Sequence, residues 1–389
     1  MARARKGTST QTKLGFLIYG EQGTWKSSMC LEFAKFKRED GKPFKVLYID
    51  IESGSIDDYI DGLSEQGVNP DNIYIVYTQS LGEVREYIKR VTMNEDLFEL
   101  DDNGEETGEI VTDADGDPFR ADAIVVDGVS VLYIATQQGL TEFSKKRATV
   151  RAKKNELSGI EKVVAIEGSG LELKDFNTLV FKGQDLILDL IASGKHWAIT
   201  ARETDEKERV KVVNNGETSF SSVATGRKQP EGFRNMSYNA KTILHMVMND
   251  DGEVQAIVEN KDRSLVHNQN ALLENPSLMD WSVVIERNKN RKEFVLANGL
   301  GESVRTEQKI YEKEILGVEN DEPSFDADNS GGVKTAEQYQ ADIVAVIQKM
   351  DANKKKTLKT QLSNAGLPVK YSVVTDTQVL EQILAVISK

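Results

Sequence analysis

The segment from Gly20 to Ser28 constrains the fold of this chain more than any other. It reads Gly-Glu-Gln-Gly-Thr-Trp-Lys-Ser-Ser, and it lies between an apolar run, LGFLIY, and a segment of helical composition, MCLEFAKFKRED. Strand, glycine-containing loop and helix in this order are the context of a Walker A loop, whose backbone N–H groups and helix N-terminus surround phosphates. We therefore expect a phosphate-binding loop at one edge of an α/β sheet.

The residue types in this loop have expected tasks. Lys26 would reach the β and γ phosphates of ATP, and the Ser27 hydroxyl would coordinate Mg²⁺. Trp25 departs from the pattern, because it takes the place of the glycine before the lysine. Either binding is altered or the backbone tolerates a Cβ there; we expect the indole to be packed, with stacking on a base as the alternative. The nucleotide-binding candidates in the loop are Gly20, Glu21, Gln22, Gly23, Thr24, Trp25, Lys26, Ser27 and Ser28.

Two further apolar runs end in carboxylates. KVLYIDIES delivers Asp50 and Glu52, and ADAIVVD delivers Asp127. The carboxyl ends of parallel strands meet at one edge of an open sheet, where ligands bind. Glu52 would orient or deprotonate an attacking water, the alternative being an acidic pair that caps the next turn. Asp127 would lie near Mg²⁺, as the final residue of a Walker B strand does.

The alternation of apolar runs with helical segments from residue 14 to about 300 predicts an α/β core. Its first runs are continuous in Val, Ile, Leu and aromatic residues, which favours a mainly parallel twisted sheet flanked by helices, with antiparallel edge strands. The predicted organisation is a basic N-terminal arm at 1–13, a core domain at 14–318, an acidic linker at 319–333 and a small helical module at 334–389. Within the core we expect an exposed acidic hairpin insert at about 95–120 and a long mobile loop at about 203–235.

The net charge of −14 at first argues against a nucleic-acid partner. However, eleven Asp or Glu and no Lys or Arg lie between Glu95 and Asp117, and the last 59 residues hold eight Lys against five acidic residues. The overall charge therefore does not exclude DNA. The triplet Asp113, Asp115 and Asp117 lacks the glycine and glutamate spacing of an EF-hand, so we expect no calcium site there.

Compartment and membrane contact follow from composition. One cysteine allows no intrachain disulfide, no run approaches the length of a membrane span, and the basic start leads into no apolar signal core. We expect a cytoplasmic protein without a membrane partner.

The order of these motifs resembles the RecA-like recombination ATPases over about residues 14–265. The stretch KVLYIDIESGSIDDYIDGLSEQGVNPDNIYIVYTQSLGE is similar to the RecA segment that carries the catalytic glutamate, which implies that role for Glu52. AIVVDGVSVL resembles the Walker B strand, which implies that Asp127 is the aspartate near magnesium. NMSYNAKTILHMVMNDDGEVQAIVENKDRS resembles the late strand pair whose Lys-x-Arg ending reaches a neighbouring subunit's nucleotide, so Lys261 and Arg263 would complete a site in trans. Arg202 is our candidate for the residue that senses nucleotide.

The resemblance also implies where DNA would lie, since in these proteins the loops after the Walker B strand and after the next strand line its path. The first region holds six basic residues without an acidic one, and a solvated helix face is the alternative there. The second mixes charge with Phe220, Phe233 and Tyr238, which suits single strands. The DNA-binding candidates are Lys145, Lys146, Arg147, Arg151, Lys153, Lys154, Arg227, Lys228 and Arg234.

Taken together, the resemblance implies a Mg²⁺-dependent ATP hydrolase that forms a ring or filament and binds single-stranded DNA in recombination, annealing or repair. Within the family the pattern looks more like phage-encoded members, which would place it in a host cytoplasm. Two alternatives stay open. One is a nucleotide-gated DNA-binding or annealing protein with little or no hydrolysis; the other is a P-loop ATPase that acts on a protein partner through the acidic insert or the C-terminal module.

Overall fold

The structure is a computed structural model that describes residues 10–293, apart from 55, 102, 215 and 216, and a few single positions between 343 and 384. The chain divides into two compact units, Met1–Thr306 and Glu307–Lys389. The predicted acidic linker lies outside the described residues, as do most of the N-terminal arm and of the C-terminal module. Among the helices that the structure describes, none is both long enough and apolar enough to cross a membrane.

The first unit is built on one mixed sheet. Its strands are β1 (Gly15–Gly20), β2 (Val46–Asp50), β3 (Ile73–Tyr77), β6 (Ala123–Asp127), β7 (His196–Asn214), β8 (Glu217–Pro230), β9 (Thr242–Met248), β10 (Val254–Asp262) and β11 (Leu272–Leu273), while β4 (Phe98–Leu100) and β5 (Glu106–Ile110) form a separate pair. The order across the sheet is β11-β10-β9-β1-β7-β6-β2-β3, and β8 pairs with β7. The strands from β3 to β9 in this order are parallel, whereas β10 and β11 run antiparallel at the edge.

Helices cover both faces of the sheet. They are α1 (Lys26–Leu31), α2 (Asp57–Glu65), α3 (Leu81–Met93), α4 (Val129–Lys154), α5 (Gly159–Glu167), α6 (Leu173–Ala192), α7 (Met236–Asn239) and α8 (Ser282–Asn288), with short 3₁₀ turns at Glu32–Lys35, Pro70–Asn72 and Leu278–Trp281. Every residue of β1, β2 and β6 is buried, as expected for central strands with helices on both sides. The predicted α/β class, with a mainly parallel sheet and antiparallel edge strands, is confirmed.

The two faces of the sheet have separate apolar cores. On one face α3, α4 and α6 pack through residues such as Val84, Leu132 and Leu186. On the other face α1, α2 and the turn at Leu278–Trp281 pack through Leu31, Leu63 and the fully buried Trp281. Because apolar area is lost from water on both sides, the register of the central strands is strongly specified.

That register brings the polar strand ends together. Asp50 pairs with Asp127 across β2 and β6, and Gly20 pairs with Arg202 across β1 and β7. Since all of these strands are parallel, their final residues lie along one carboxyl edge of the sheet.

The acidic insert contains the β4–β5 hairpin, in which every residue of β5 is exposed. Its triplet is structural: buried Asp113 forms an ion pair with Lys45 and accepts the N–H groups of Asp115 (2.8 Å) and Asp117 (3.1 Å). Although three carboxylates can approach one another here, this bonding accounts for their arrangement as a turn.

The region predicted as a mobile loop at 203–235 is different in the structure. Most of it is a long antiparallel hairpin, in which β7 continues beyond the sheet and pairs with β8 from Glu203–Pro230 to Asn214–Glu217. The Gly, Ser and Asn content predicted a loop. In a two-stranded ribbon, however, the backbone N–H and C=O groups bond across the pair, so they are satisfied without an apolar core.

Candidate functional site

The loop after β1 has a backbone shape that depends on its sequence. A Cβ on Gly20 would lie 2.1 Å from the carbonyl oxygen of Met246, so only glycine fits at the point where the chain leaves the sheet. Trp25 adopts a left-handed conformation with φ of 57°, and it is the residue that precedes α1. The backbone therefore tolerates a Cβ at this position, in a conformation that normally favours glycine.

The indole of Trp25 is 62% exposed, so the expectation of a packed aromatic is wrong. Together with Tyr59 of α2, Trp25 borders a pocket of about 570 Å³, which is also lined by Met29, Leu63 and Met246. A largely apolar pocket with two aromatic rings thus adjoins the loop.

Lys26 is held by the loop itself. Its Nζ donates to the carbonyl oxygen of Glu21 at 2.5 Å and to Thr24 Oγ1 at 3.3 Å. Burial lowers the pKa of Lys26, and the nearby carboxylates of Glu52 and Asp127 oppose that shift. An ammonium group that is partly buried and bonded to only neutral oxygens is well placed to exchange these oxygens for phosphate oxygens.

Asp127 is buried and fixed by hydroxyl groups. Tyr48 donates to one carboxylate oxygen at 2.9 Å, and Thr200 donates to the other. The Tyr48 hydroxyl also lies 3.3 Å from the carbonyl oxygen of Ser27, which ties the start of α1 to the end of β6. Hydroxyl and carboxylate oxygens are the ligands that Mg²⁺ prefers, so Ser27 and Asp127 are the residues that would hold it, directly or through water.

Asp50 and Glu52 do different work although they are two residues apart. Asp50 accepts the backbone N–H groups of Glu52 (2.9 Å), Ser53 (3.0 Å) and Gly54 (2.8 Å). Asp50 is therefore a turn cap, which is the alternative considered for both residues. Glu52 is not part of this cap: its carboxylate accepts from Arg202 Nη2 at 2.9 Å and Nε at 3.2 Å.

Glycine at position 128 allows that placement of Glu52. A Cβ there would lie 2.7 Å from Glu52 Cγ, and the φ of Gly128 is 94°. The glycine thus lets the Glu52 side chain lie against the end of β6. Its N–H group also donates to Thr200 Oγ1 at 2.8 Å, which holds the hydroxyl that bonds Asp127.

The backbone of Arg202 is held on both sides. Its N–H donates to Ser130 Oγ at 2.9 Å, and its carbonyl accepts from the N–H of Glu231 at 2.7 Å, where β8 returns to the sheet. Arg202 is the last residue of β7 before the hairpin pairs begin. The side chain that contacts Glu52 is therefore anchored at the base of the β7–β8 hairpin.

Sequence reasoning missed a second group at the same edge. The ring of Tyr19 stacks on His245 with centroids 4.5 Å apart, and His245 Nε2 lies 2.8 Å from Glu203 Oε2. The Tyr19 hydroxyl bonds Glu259, and burial raises the pKa of Tyr19. Lys228 completes the group with a bond of 3.1 Å to Glu203. The sequence offered one indication of this group: Tyr19 immediately precedes Gly20 of the loop, and Glu203 immediately follows Arg202.

Lys261 and Arg263 are not brought to the loop of their own chain. β10 is antiparallel, so its final residue, Asp262, pairs with Thr242 at the amino edge of the sheet. From Thr242 to Met246, which pairs with Gly20, is four residues or about 13 Å along the strand. Lys261 donates to the carbonyl of Ser237 at 3.0 Å, and Arg263 lies beside Lys241.

The six predicted DNA-binding residues after the Walker B strand lie on the second half of α4. Three of them are ion-paired: Lys145 with Glu167, Arg147 with Asp175, and Arg151 with Glu172. Lys146, Lys153 and Lys154 are exposed, and they form no ion pair with the part of the chain that the structure describes. In the second predicted DNA-binding region, Lys228 is bonded to Glu203, whereas Arg227 and Arg234 are exposed.

No protein-family model matches the sequence, and no curated protein matches it. Among solved structures, the chain is similar to a KaiC-like protein from the hyperthermophilic archaeon Pyrococcus horikoshii. The two are 13% identical, the match covers 68% of this chain and 91% of that one, and the TM-score is 0.34. Similarity at this level carries no information about ligands, and the case for nucleotide binding comes from the geometry above.

Proposed function

We propose that this chain is a Mg²⁺-dependent P-loop ATPase that assembles with copies of itself and binds single-stranded DNA. One observation carries the nucleotide part of the proposal. Lys26, Ser27, Glu52, Asp127 and Arg202 come from four separate segments, and the parallel register places all of them at one edge of the sheet. A cation, a hydroxyl, two carboxylates and a second cation are the groups that phosphoryl transfer to water requires.

The residues would divide the reaction as follows. The loop N–H groups and Lys26 bind the β and γ phosphates, and Ser27 and Asp127 hold magnesium, which neutralises charge on the phosphate oxygens. Glu52 positions and deprotonates the attacking water. Arg202, which pairs with Glu52, would contact the same phosphates and report their presence to the hairpin through its anchored backbone.

The pocket beside Trp25 is the place we assign to the nucleobase. It adjoins the phosphate loop and offers Trp25 and Tyr59 for stacking on a flat ring. The loop and the pocket share Trp25 and Ser28, so one nucleotide would span both.

The β7–β8 hairpin supports the DNA part of the proposal. Cross-strand partners share a face, and the pairs Lys207–Ala224, Arg209–Ser222 and Lys211–Phe220 alternate with Glu208–Val223 and Val210–Ser221. One face of the ribbon therefore carries three cations and an aromatic ring, whereas the other carries aliphatic groups and a carboxylate. Cations interleaved with an exposed aromatic suit a single strand, whose phosphates and bases need both.

A second candidate function rests on Trp25. A residue other than glycine in a left-handed conformation costs about 1–2 kcal/mol, so the loop holds strain where phosphates must bind. If binding shifts this backbone, nucleotide would set the assembly state with little turnover, and the protein would be a nucleotide-gated DNA-binding or annealing protein.

The deciding experiment measures steady-state hydrolysis of ATP with Mg²⁺, with and without single-stranded DNA, and uses Lys26→Ala as the blank. Turnover that DNA stimulates and that the variant lacks supports the ATPase. Nucleotide that binds tightly without turnover supports the gated protein. Failure to bind ATP, measured by calorimetry, overturns both.

A further inference from the structure

One apolar helix face has no partner within the described part of its own chain. None of the nine residues of α5 is buried. Ile160, Val163 and Val164, which share one face at helical spacing, are 82%, 59% and 64% exposed. Exposed aliphatic groups in a contiguous set mark an interaction surface more often than a solvated one.

The charges on this part of the surface are mainly basic. Lys146, Lys153 and Lys154, at the end of α4, are exposed and form no ion pair with the described residues, and Lys162 lies on α5 itself. We call residues 144–172, which contain the end of α4 and all of α5, the α4–α5 lobe. Its exposed charges are mainly basic, although Glu156 and Glu161 are exposed too, and the Ile160, Val163 and Val164 face is itself aliphatic. That composition favours a protein over a nucleic-acid strand, because bases need rings to stack on.

The β4–β5 hairpin has the complementary composition. Leu100 and Ile110 are 39% and 41% exposed. Four of its acidic residues are exposed and form no ion pair in the described part of the chain: Glu99, Asp101, Glu105 and Glu109. Glu106 differs, because it is bound to Arg90 of α3 and so fixes the hairpin to the body. An acidic hairpin with two exposed aliphatic side chains thus complements a mainly basic lobe with an exposed aliphatic face.

The two surfaces lie at opposite edges of the sheet. The hydroxyl of Tyr74, the second residue of β3, donates to the carbonyl oxygen of Phe98 at 3.1 Å, so the hairpin adjoins the amino edge. The lobe lies at the other end of α6, whose final turns bind Arg85 and whose last residue leads into β7 at the amino edge. Because α6, at 20 residues, is about 30 Å long and a central strand is about 17 Å, the lobe extends beyond the carboxyl edge. Within one chain the surfaces therefore cannot meet.

We propose that the β4–β5 hairpin of one copy docks on the α4–α5 lobe of a second copy. The contact is head-to-tail, amino edge on carboxyl edge, and such a heterologous contact builds a ring or a filament. A head-to-tail contact of this kind brings the amino edge of one copy, which carries Lys261 and Arg263, toward the carboxyl edge of the next. The inference rests on the proposed self-assembly and adds the surfaces that make it.

A charge exchange tests the contact. The hairpin variant is Glu99→Lys/Glu105→Lys/Glu109→Lys, the lobe variant is Lys146→Glu/Lys153→Glu/Lys154→Glu, and a third protein carries both sets. A control with Asp61→Lys/Glu65→Lys/Asp71→Lys makes the same charge change on exposed positions of α2 and the turn after it. Sedimentation velocity measures assembly of each protein with Mg²⁺ and a non-hydrolysable ATP analogue, and calorimetry confirms that each still binds the analogue.

We expect each single-surface variant to assemble at least tenfold more weakly than the control, and the combined protein to recover to within threefold. Variants that assemble like the control, or a combined protein that recovers nothing, overturn the contact while leaving assembly intact. Wild-type protein that stays monomeric overturns both the contact and the proposed assembly. A lobe variant that assembles normally but loses affinity for single-stranded DNA or anionic vesicles overturns the contact and assigns the lobe to that ligand.

Discussion

Arg202 donates both Nε and Nη2 to a single oxygen of Glu52, so the carboxylate at the end of β2 is held by a guanidinium at the end of β7. The pair crosses β6, whose final Asp127 lies between the two strands in the sheet. Because an Arg–carboxylate pair fixes orientation as well as charge, this contact gives the Glu52 side chain one defined direction. Phosphates that attract Arg202 would release the carboxylate toward water.

The first prediction concerns Glu52. We expect Glu52→Gln to lower the turnover number by 10² to 10⁴, about the contribution of a positioned general base, and to change ATP affinity less than threefold. Single-turnover hydrolysis and calorimetry separate the two quantities. Glu65→Gln, on the exposed end of α2, is the matched control. A Glu52→Gln variant with wild-type turnover would remove the catalytic role.

The second prediction concerns the strained loop. We expect Trp25→Gly to be more stable than Trp25→Ala by about 1 kcal/mol, because only glycine relieves the left-handed backbone and both variants lose the same exposed indole. Urea unfolding of the two variants measures the difference. Equal stabilities would mean that the conformation at Trp25 costs nothing. If the strain also limits turnover, the glycine variant will be the faster of the two enzymes.

Subunit mixing tests the role of Lys261 and Arg263 in trans. Lys26→Ala protein lacks a working loop, and Lys261→Ala/Arg263→Ala protein lacks the groups that it would lend to a neighbour. Each should be inactive alone, and a mixture should regain part of the wild-type rate because some interfaces join an intact loop to an intact pair. A mixture no more active than its components would show that the pair does not act between subunits.

The amino edge also predicts a dependence on pH. Burial, followed by the charges of Arg263 and Lys13, lowers the pKa of Lys241 from 10.5 to about 8. Between pH 8 and 10 the unfolded chain holds a proton that the folded chain has released, so this lysine makes stability rise with pH. Below pH 8 Lys241 is protonated in the folded chain, and the full cost of burying its charge lowers the free energy of unfolding by at most about 3 kcal/mol.

Lys241→Met checks that dependence. The variant should be more stable than wild type at pH 7 by about 2 kcal/mol, since it also loses a bond to the carbonyl of Lys13, and the gap should close by pH 9.5. Chemical unfolding at both pH values gives the result. A constant gap between the two proteins would mean that Lys241 does not titrate in this range.

The hairpin faces give the last prediction. We expect weaker binding of single-stranded DNA by the variant Lys207→Gln/Arg209→Gln/Lys211→Gln. The slope of log affinity against log salt concentration should become shallower by the equivalent of two to three phosphate contacts. The matched control, Glu206→Gln/Glu208→Gln, changes carboxylates at neighbouring positions and should not lower affinity. Fluorescence anisotropy of labelled single-stranded DNA at several salt concentrations gives the affinity and the salt slope of each variant. An unchanged salt slope would place DNA elsewhere.

The sequence was sufficient to predict that these residues meet at one edge of the sheet, because they follow buried strands. Apolar runs predicted β1, β2 and β6, so the placement of Lys26, Glu52 and Asp127 at the carboxyl edge followed from strand order, whereas their chemical roles stay predictions. The partners that set geometry could not be found in this way. Tyr48 and Thr200 sit inside strands and look like core residues, and they reach Asp127 only because neighbouring strands are in register.

The hairpin at 203–235 shows why local composition misleads. Gly, Ser and Asn lower the propensity for a strand, yet β7 leaves the sheet as a strand already formed, and β8 satisfies its backbone groups by pairing. The conformation of Trp25 was likewise outside what a motif comparison can reach. The sequence showed that a glycine was missing, and only the structure showed that the indole is exposed.

Because the Trp25 indole is exposed, the intrinsic tryptophan fluorescence of the protein reports on the surroundings of this residue. The other two tryptophans, Trp197 and Trp281, are 2% and 0% exposed, so quencher in solution reaches Trp25 alone. The tryptophan fluorescence of the unlabelled protein therefore has one component that a soluble quencher does not reach and one component that it does. The accessible component comes from Trp25, in the loop after β1, so a change in its quenching while ATP is added reports whether ATP binds at that loop.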